Sequence, residues 1–386
     1  MKKRLAYSPG RLVAILTFGV FGIINTEMGV VGIIPQIAER FDVTVSTAGL
    51  CVSVFALVVS VAAPVLPLLF SGINRRTMML AALILFVASN ILSMVTDSFA
   101  VLLAARSLPA FLHPVYVAMA FTLAAAATKD DPSRGIARVF VGVSAGMVLG
   151  VPMTTFVTTH WSYEAAIGIF AVINTVVLVA TFFMVPDIPA KQHNPGHQLR
   201  VLKKPSLWLG VTAFTCINGA MFGFFSYLSD YLKTVTEISY TLIGTVLLVY
   251  GLANIVGNVL AGRLLSMNAA RCVTLIPFVL VAVYASLFLL GGWLIPVVAI
   301  IFVLGILAGI ASNNMQYIIT DAAPEAPDFA NGLFLASANL GTTVGTAVCG
   351  LFITFLNTRY SVLGALLFLM AGIVFIFLRN RSSNPI

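Results

Sequence analysis

The chain has 386 residues, of which 60% are hydrophobic and only 9% are charged, and its mean hydropathy is +1.05. A soluble domain carries about 25% charged residues, so this composition excludes a soluble globule and predicts an integral membrane protein. The apolar runs are much longer than the ~10-residue alternating segments of an outer-membrane barrel. Helices satisfy their own backbone hydrogen bonds in lipid, so we expect an all-α membrane protein.

Twelve apolar runs are long enough to cross a bilayer, and we number them spans 1 to 12 in chain order. They cover residues 11–34, 47–70, 77–96, 99–127, 136–159, 163–185, 206–230, 240–265, 271–291, 293–320, 329–356 and 360–380. A polar linker at residues 186–205 separates spans 6 and 7. The pattern predicts two pseudo-symmetric six-helix bundles, residues 1–185 and 206–386, which suit alternating access around a central site.

Lysine and arginine lie almost entirely at one end of the predicted bundles. Of the 21 such residues, Arg40, Lys233 and Arg359 lie at the opposite end, and Arg106 lies inside span 4. The positive-inside rule then predicts cytoplasmic termini and a cytoplasmic linker. The net charge of +8 is explained by this topology and by contact with anionic lipids, so we expect membrane lipids and no nucleic acid as partners.

Three ionisable residues lie inside the predicted spans near the opposite end. Arg106 and His113 are seven residues apart in span 4, which predicts a shared helix face and a separation of about 10 Å. Glu27 in span 1 is predicted at a similar depth to Arg106. A water-accessible Glu27 paired with Arg106 could alternate between charged and protonated forms, or the two could form a purely structural ion pair.

Glycines recur at four-residue spacing in two corresponding spans, and they are Gly142, Gly146 and Gly150 in span 5 and Gly341 and Gly345 in span 11. This spacing predicts a smooth face for close helix packing, followed in span 5 by Pro152, which frees a carbonyl and permits a bend. The face could serve packing alone or act as a gate. The G-x-S-x-G match within it lacks the strand–turn–helix of a hydrolase, so we expect no enzyme activity.

Uncharged polar side chains could line a polar cavity for a solute or bridge helices, and the sequence leaves both open. The candidates are Asn25, His113, Asn218, Tyr227, Asn254, Asn314, Gln316 and Asn339, and Asn258 and Asn313 belong to the same polar set. Asp230 is expected to be solvated at the end of span 7. The four cysteines have no metal-ligand spacing, so we expect no metal, no cofactor and no disulfide.

Five strings together carry a family resemblance over nearly the whole chain. They are NTEMGVVGIIPQIAERFDVTVSTAGL, INRRTMML, LLAARSLPAFLHP, GVSAGMVLGVP and NMQYIITDAAPEAPDFANGLFLASANLGTTVG. The chain resembles the major facilitator superfamily, drug:proton antiporter type, and within it the bacterial arabinose and sugar efflux permeases. The resemblance implies that Glu27 is the proton-linked acid, Arg106 the family's membrane arginine and residues 142–152 the antiporter motif.

The resemblance implies a monomeric transporter of the bacterial inner membrane that exports a small organic solute, such as a sugar, nucleoside or drug, in exchange for protons. A proton-coupled importer on the same fold is the alternative. The sequence departs from the group at His113-Pro114, where His-Gly is usual, and at Asp230, where a proline is usual. Both changes affect the expected cavity or its mouth, so the sequence does not define the solute.

Overall fold

The computed structural model describes residues 9–128, 132–186, 203–323 and 327–383. Most of the predicted linker at residues 186–205 lies outside these ranges. Within the ranges every regular element is helical. The prediction of an all-α protein is therefore confirmed.

Eleven helices in the described residues are long and apolar enough to cross a membrane. One of them, Tyr240–Leu290, has 51 residues, and Asn268 within it has a non-helical backbone. The side chain of Asn268 accepts a hydrogen bond from the backbone N–H of Arg271 at 2.9 Å and so caps the segment that follows. This helix therefore comprises spans 8 and 9, and the twelve-span fold is confirmed.

The remaining helices match the predicted spans with adjusted ends. In the first half they are Pro9–Gly29, Ile34–Phe41, Val45–Ala48, Leu50–Ala62, Leu66–Leu69, Arg75–Val95, Phe99–Ala110, His113–Ala127, Pro132–His160 and Tyr163–Met184. In the second half they are Pro205–Phe225, Leu228–Thr234, Leu294–Ala322, Pro327–Phe355 and Ser361–Ser383.

Span 4 is not the continuous helix that the sequence suggested. Its first helix ends at Ala110, and the second begins at His113 after a turn. Pro114 has no N–H, and its ring would clash with the carbonyl of Ala110, four residues earlier. The proline therefore breaks the span between Arg106 and His113 and overturns the assumption of one straight helix face.

Spans 1 and 7 also break, in both cases close to a residue of interest. Span 1 passes at Val30–Ile33 into a 3-10 turn, just beyond Glu27. Span 7 ends at Phe225 rather than at the predicted residue 230, and the short helix Leu228–Thr234 follows. We call the side of the protein that carries Arg40 and Lys233 the opposite end, and the side that carries Arg75, Arg76 and Arg263 the basic end. In both spans the long helix stops close to the opposite end.

The glycines of span 5 pack directly on span 1. A Cβ added to Gly146 would lie 2.8 Å from Cβ of Ile24, and one added to Gly150 would lie 3.1 Å from Oδ1 of Asn25. A Cβ on Gly142 would collide with a backbone carbonyl of span 1. Only a residue without a side chain permits this approach.

The second half repeats the same contact between spans 11 and 7. A Cβ on Gly341 would lie 2.5 Å from the carbonyl oxygen of Thr215, and one on Gly345 would collide with the carbonyl of Gly219. The predicted pseudo-repeat of spans 5 and 11 thus corresponds to a repeated backbone contact. Within each half, two long helices are held together without intervening side chains.

The halves meet along two further helix pairs. In one pair, the Thr343 hydroxyl of span 11 donates to the carbonyl of Ser53 in span 2 at 3.1 Å. In the other, a Cβ on Gly251 of span 8 would lie 3.0 Å from the carbonyl oxygen of Val148 in span 5. Val148 is four residues before Pro152, so this carbonyl lacks its usual helical donor. The proline of the glycine motif thus removes the usual helical donor of a carbonyl at the junction of the halves.

The contact of span 5 with span 1 can be tested by overpacking. We predict that Gly146→Leu lowers the free energy of unfolding by about 1–3 kcal/mol, because the added side chain has no room beside Ile24. Gly262→Leu in span 8 is the control, since a Cβ there meets nothing within 4 Å. Thermal unfolding in detergent measures both, and equal stability of the two variants would contradict the packing account.

Candidate functional site

Glu27 and His113 lie together in the interior of the first half. Oε2 of Glu27 is 3.1 Å from Nε2 of His113, and the two side chains are 11% and 2% exposed. His113 opens the second helix of span 4, and Glu27 stands two residues before the end of the long helix of span 1. The breaks in these two helices therefore adjoin the contact between a carboxylate and an imidazole.

The approach of these two groups is an ion-pair contact rather than an aligned hydrogen bond. Neither ring nitrogen of His113 makes a geometrically aligned hydrogen bond within the described residues. The Nδ1 atom is therefore buried without a partner.

Arg106 is buried beside this pair but is not the residue in contact with Glu27. It is 4% exposed, and its guanidinium donates to the carbonyl of Thr26 at 3.1 Å. Among the described residues, the group within ion-pair distance of Glu27 is His113. The sequence suggested direct pairing of Glu27 with Arg106; instead Arg106 binds the backbone next to Glu27, at the carbonyl of Thr26.

Phe55 of span 2 contacts both Arg106 and His113 of span 4. The Arg106 guanidinium carbon lies 5.8 Å from the centre of its ring, and the His113 ring packs edge-on at 5.9 Å. An aromatic face attracts a cation and needs no counter-charge. Asn174 of span 6 donates to the Thr26 hydroxyl at 2.9 Å and steadies the segment of span 1 that precedes Glu27.

Most of the predicted cavity residues lie in helix contacts. Asn218 donates to the carbonyl of Ala338 at 2.6 Å, and Asn314 accepts from the Cys272 thiol at 3.2 Å. Asn25 and Asn339 are also buried. These four amides bridge or fill packed helices, which is one of the two alternatives that the sequence left open.

Asn254 and Gln316 are the candidates that keep partial exposure. Asn254 accepts a hydrogen bond from Asn258, and Asn313 of span 10 donates to Asn258 in turn. The sequence placed these asparagines in the polar set but gave no sign that they join. Their connection depends on the register between spans 8 and 10, which a single sequence does not reveal.

Tyr227 closes a contact between the halves at the opposite end. It is buried, and a Cβ on Gly350 would lie 2.6 Å from its hydroxyl oxygen. A Cβ on Gly49 of the first half would also collide with that hydroxyl. Close by, the Tyr240 hydroxyl donates to Glu39 across the halves at 3.2 Å. The structure thus places Tyr227 in a socket of small residues between the halves.

Asp230 is buried, contrary to the expectation that it would be solvated. Its Oδ2 accepts a hydrogen bond from the Thr358 hydroxyl at 2.6 Å. The short helix Leu228–Thr234 folds Asp230 inward, whereas a straight span 7 would carry it outward. This acid therefore joins two elements of the second half and lies apart from the pair in the first half.

Comparison with known proteins agrees with this architecture. The sequence profile of the Major Facilitator Superfamily matches residues 16–327 and 236–385. A probable sugar efflux transporter of Pasteurella multocida is 28% identical over 94% of this chain and 91% of its own. The putative transporter AraJ of Escherichia coli is 26% identical over 96% of this chain and 95% of its own. Among solved structures, the chain is similar to a bacterial homolog of the human lysosomal transporter Spinster, crystallised in an inward-facing and unoccupied conformation. The two superimpose with a TM-score of 0.80 over 97% of both chains, at 13% sequence identity.

Together, the twelve membrane spans and these relatives define a multi-pass membrane transporter and not an enzyme. The chain belongs to the major facilitator superfamily, and it resembles the arabinose and sugar efflux group within it. It is thus a secondary transporter. The resemblance that the sequence motifs indicated is confirmed.

The socket of Tyr227 provides a test of the contact between the halves. We predict that Gly49→Ala destabilises the protein by about 1–3 kcal/mol, because the new Cβ collides with the Tyr227 hydroxyl. Adding Tyr227→Phe should recover part of that loss, since it removes the colliding oxygen. Gly72→Ala, which has open space around it, is the control in thermal unfolding. A double variant no more stable than Gly49→Ala would show that the collision is not the cause.

Proposed function

We propose that this transporter exports a small organic solute in exchange for protons, in the inner membrane of a bacterium. It acts as a monomer with both termini and the basic end in the cytoplasm. The observation that carries the proposal is the Glu27–His113 pair, a buried carboxylate and imidazole 3.1 Å apart with Arg106 alongside. The Pasteurella multocida relative is a probable sugar efflux transporter, which supports the direction of transport.

The pair has the properties that a proton carrier needs. Glu27 is partly exposed, so water can deliver a proton, and His113 lies beyond it with an unpartnered Nδ1. Protonation of Glu27 removes its attraction to His113 and Arg106, so the proton alters the contact between span 1 and span 4.

That change matters because a ligand shifts a two-state equilibrium only if it binds the two states differently. When Glu27 is ionised, its attraction to His113 and Arg106 holds the end of span 1 against span 4. When it is protonated, the tie weakens and span 1 is freer to move with span 5, to which its backbone is packed. Proton and solute would then be carried in alternation, as antiport requires.

The coupling role of Glu27 can be tested in inside-out vesicles. The solute is first chosen by thermal shift of the purified protein with a panel of sugars, nucleosides, amino-acid derivatives and drugs. We predict that an acidic lumen drives its accumulation in wild-type vesicles and that Glu27→Gln abolishes this while retaining solute binding, because glutamine mimics the protonated form. The pH dependence of binding should also flatten in Glu27→Gln.

The control is Glu237→Gln, which changes an exposed acid at the opposite end of the second half. It should accumulate solute as wild type does. Arg106→Ala should impair transport more generally, because it removes the nearby positive field and the bond to the Thr26 carbonyl. Normal solute accumulation in Glu27→Gln would show that another residue couples transport to protons. If an acidic lumen made wild-type vesicles expel the solute, the protein would instead be a proton-coupled importer.

The topology can be tested by labelling single cysteines in intact cells. The variants are Arg40→Cys and Lys233→Cys at the opposite end and Arg263→Cys and Arg271→Cys at the basic end, in a background without the native cysteines. We predict that a membrane-impermeant maleimide labels the first two and spares the last two until the cells are opened. The reverse pattern would invert the proposed orientation, and labelling at both ends in intact cells would contradict the span count.

A further inference from the structure

A row of asparagine side chains joins spans 8 and 10 in the second half. Asn313 Nδ2 donates to Asn258 Oδ1 at 2.7 Å, and Asn258 Nδ2 donates to Asn254 Oδ1 at 3.0 Å. Asn313 Nδ2 also donates to the carbonyl of Gly309 at 2.9 Å. A carbonyl can only accept, so this bond fixes the orientation of Asn313 and, through it, of the other two amides. We call this row the amide ladder.

Glycine contacts between the two helices set the ladder's register. A Cβ on Gly257 would collide with the carbonyl of Ile306, and one on Gly309 would lie 2.7 Å from the backbone nitrogen of Asn258. The backbones of spans 8 and 10 are therefore in direct contact. Short asparagine side chains can bridge such a gap, and the backbone contact holds them in place.

Asn254 lies on the side of span 8 opposite to two exposed apolar residues. Leu252 and Val256 are exposed apolar residues of span 8, and the helical rotation of about 100° per residue puts Asn254 about 160° from both. Asn258 is exposed, and Asn254 and Asn313 are half-buried. Polar groups directed into hydrocarbon without partners are costly, so an exposed amide on this face indicates contact with water.

The ladder keeps hydrogen-bonding groups open at its two ends. Within the described residues, Asn254 Nδ2 has no acceptor and Asn313 Oδ1 has no donor. One end thus offers a donor and the other an acceptor, and no member carries a charge. One turn earlier on span 8, the Tyr250 ring stacks on Phe225 at 4.7 Å and adds an aromatic surface beside Asn254.

This combination suits one chemical class of ligand. A hydroxyl or amide group both donates and accepts, so it matches both open ends of the ladder. An anion would leave the acceptor facing a negative charge, and a cation would leave the donor facing a positive one. Neutral polar groups also cost less to desolvate than ions do.

We propose that the amide ladder is the solute-recognition subsite and that it selects a neutral solute bearing hydroxyl or amide groups. The inference rests on the proposed function only in that the chain moves a small solute. Proton and solute then bind in different halves, because Glu27 and His113 lie in the first half and the ladder lies in the second. Communication between them passes through the contacts between the halves.

Equilibrium dialysis of the purified full chain with radiolabelled probes tests this subsite. The neutral probes are L-arabinose, lactose and uridine, and the charged probes are gluconate and tetraphenylphosphonium. We predict that at least one neutral probe binds more tightly than either charged probe. Asn254→Ala should weaken it about tenfold, because it removes the open donor and keeps the Asn258–Asn313 bond. Asn258→Leu should weaken it further, since it interrupts the whole ladder.

Ser312→Ala is the matched control, because this residue adjoins Asn313 but its hydroxyl bonds within its own helix, to the carbonyl of Ala308. It should bind the neutral probe as wild type does. Asn258→Asp supplies an independent readout: it introduces a negative charge and should raise the affinity for tetraphenylphosphonium relative to the neutral probe. Thermal unfolding shows whether each variant is folded. If Asn258→Leu does not fold, the binding measurement on Asn254→Ala alone decides the test.

The possible results separate this inference from the proposed function. Unchanged neutral-probe affinity in Asn254→Ala would reduce the ladder to a link between helices and overturn the proposal. Tighter binding of a charged probe to wild type, or no binding of any neutral probe, would overturn it too. If Glu27→Gln transports normally while Asn254→Ala loses binding, the proton-coupling proposal fails and the subsite remains.

Discussion

A buried ionic contact in the first half constrains the rest of the molecule. An ionised side chain at the centre of a membrane span costs about 2.5–3.5 kcal/mol on insertion scales, so Glu27, His113 and Arg106 need one another and their polar neighbours. Their contact depends on breaks in two helices, one caused by Pro114 and one just after Glu27. In the proposed mechanism, neutralising Glu27 changes both the electrostatics and the attachment of span 1 to span 4.

In the proposed mechanism, packing within and between the halves would convert that local change into a change of state. Within each half, glycines hold spans 1 and 5, and spans 7 and 11, in backbone contact. Between the halves, span 2 packs on span 11 and span 5 packs on span 8, and Tyr227 in its socket and Glu39 with Tyr240 add contacts at the opposite end. Two halves that meet along such helix pairs suit alternating access, in which one half rocks against the other around a fixed site.

The sequence predicted the spans well, because hydropathy and the absence of charge suffice to recognise them. It predicted the glycine faces for a similar reason, since spacing alone places Gly146 and Gly150 on one side of a helix. It failed where the outcome depends on helix breaks or on rotation about the helix axis. Pro114 was visible as a signal for the break in span 4, but the pairing of Glu27 with His113 instead of Arg106 requires three-dimensional placement. The same holds for Asn218 and Asn314, which face packed helices, and for Asn258, which bonds to Asn254 and Asn313.

The most direct test of the account is to count the protons released when solute binds to purified protein in weakly buffered detergent solution at pH 7–8. The account predicts that wild type releases protons on binding and that Glu27→Gln binds the same solute without release. His113→Gln should change the pH at which release is greatest, because it removes the partner of Glu27. Proton release from Glu27→Gln equal to that of wild type would contradict the account.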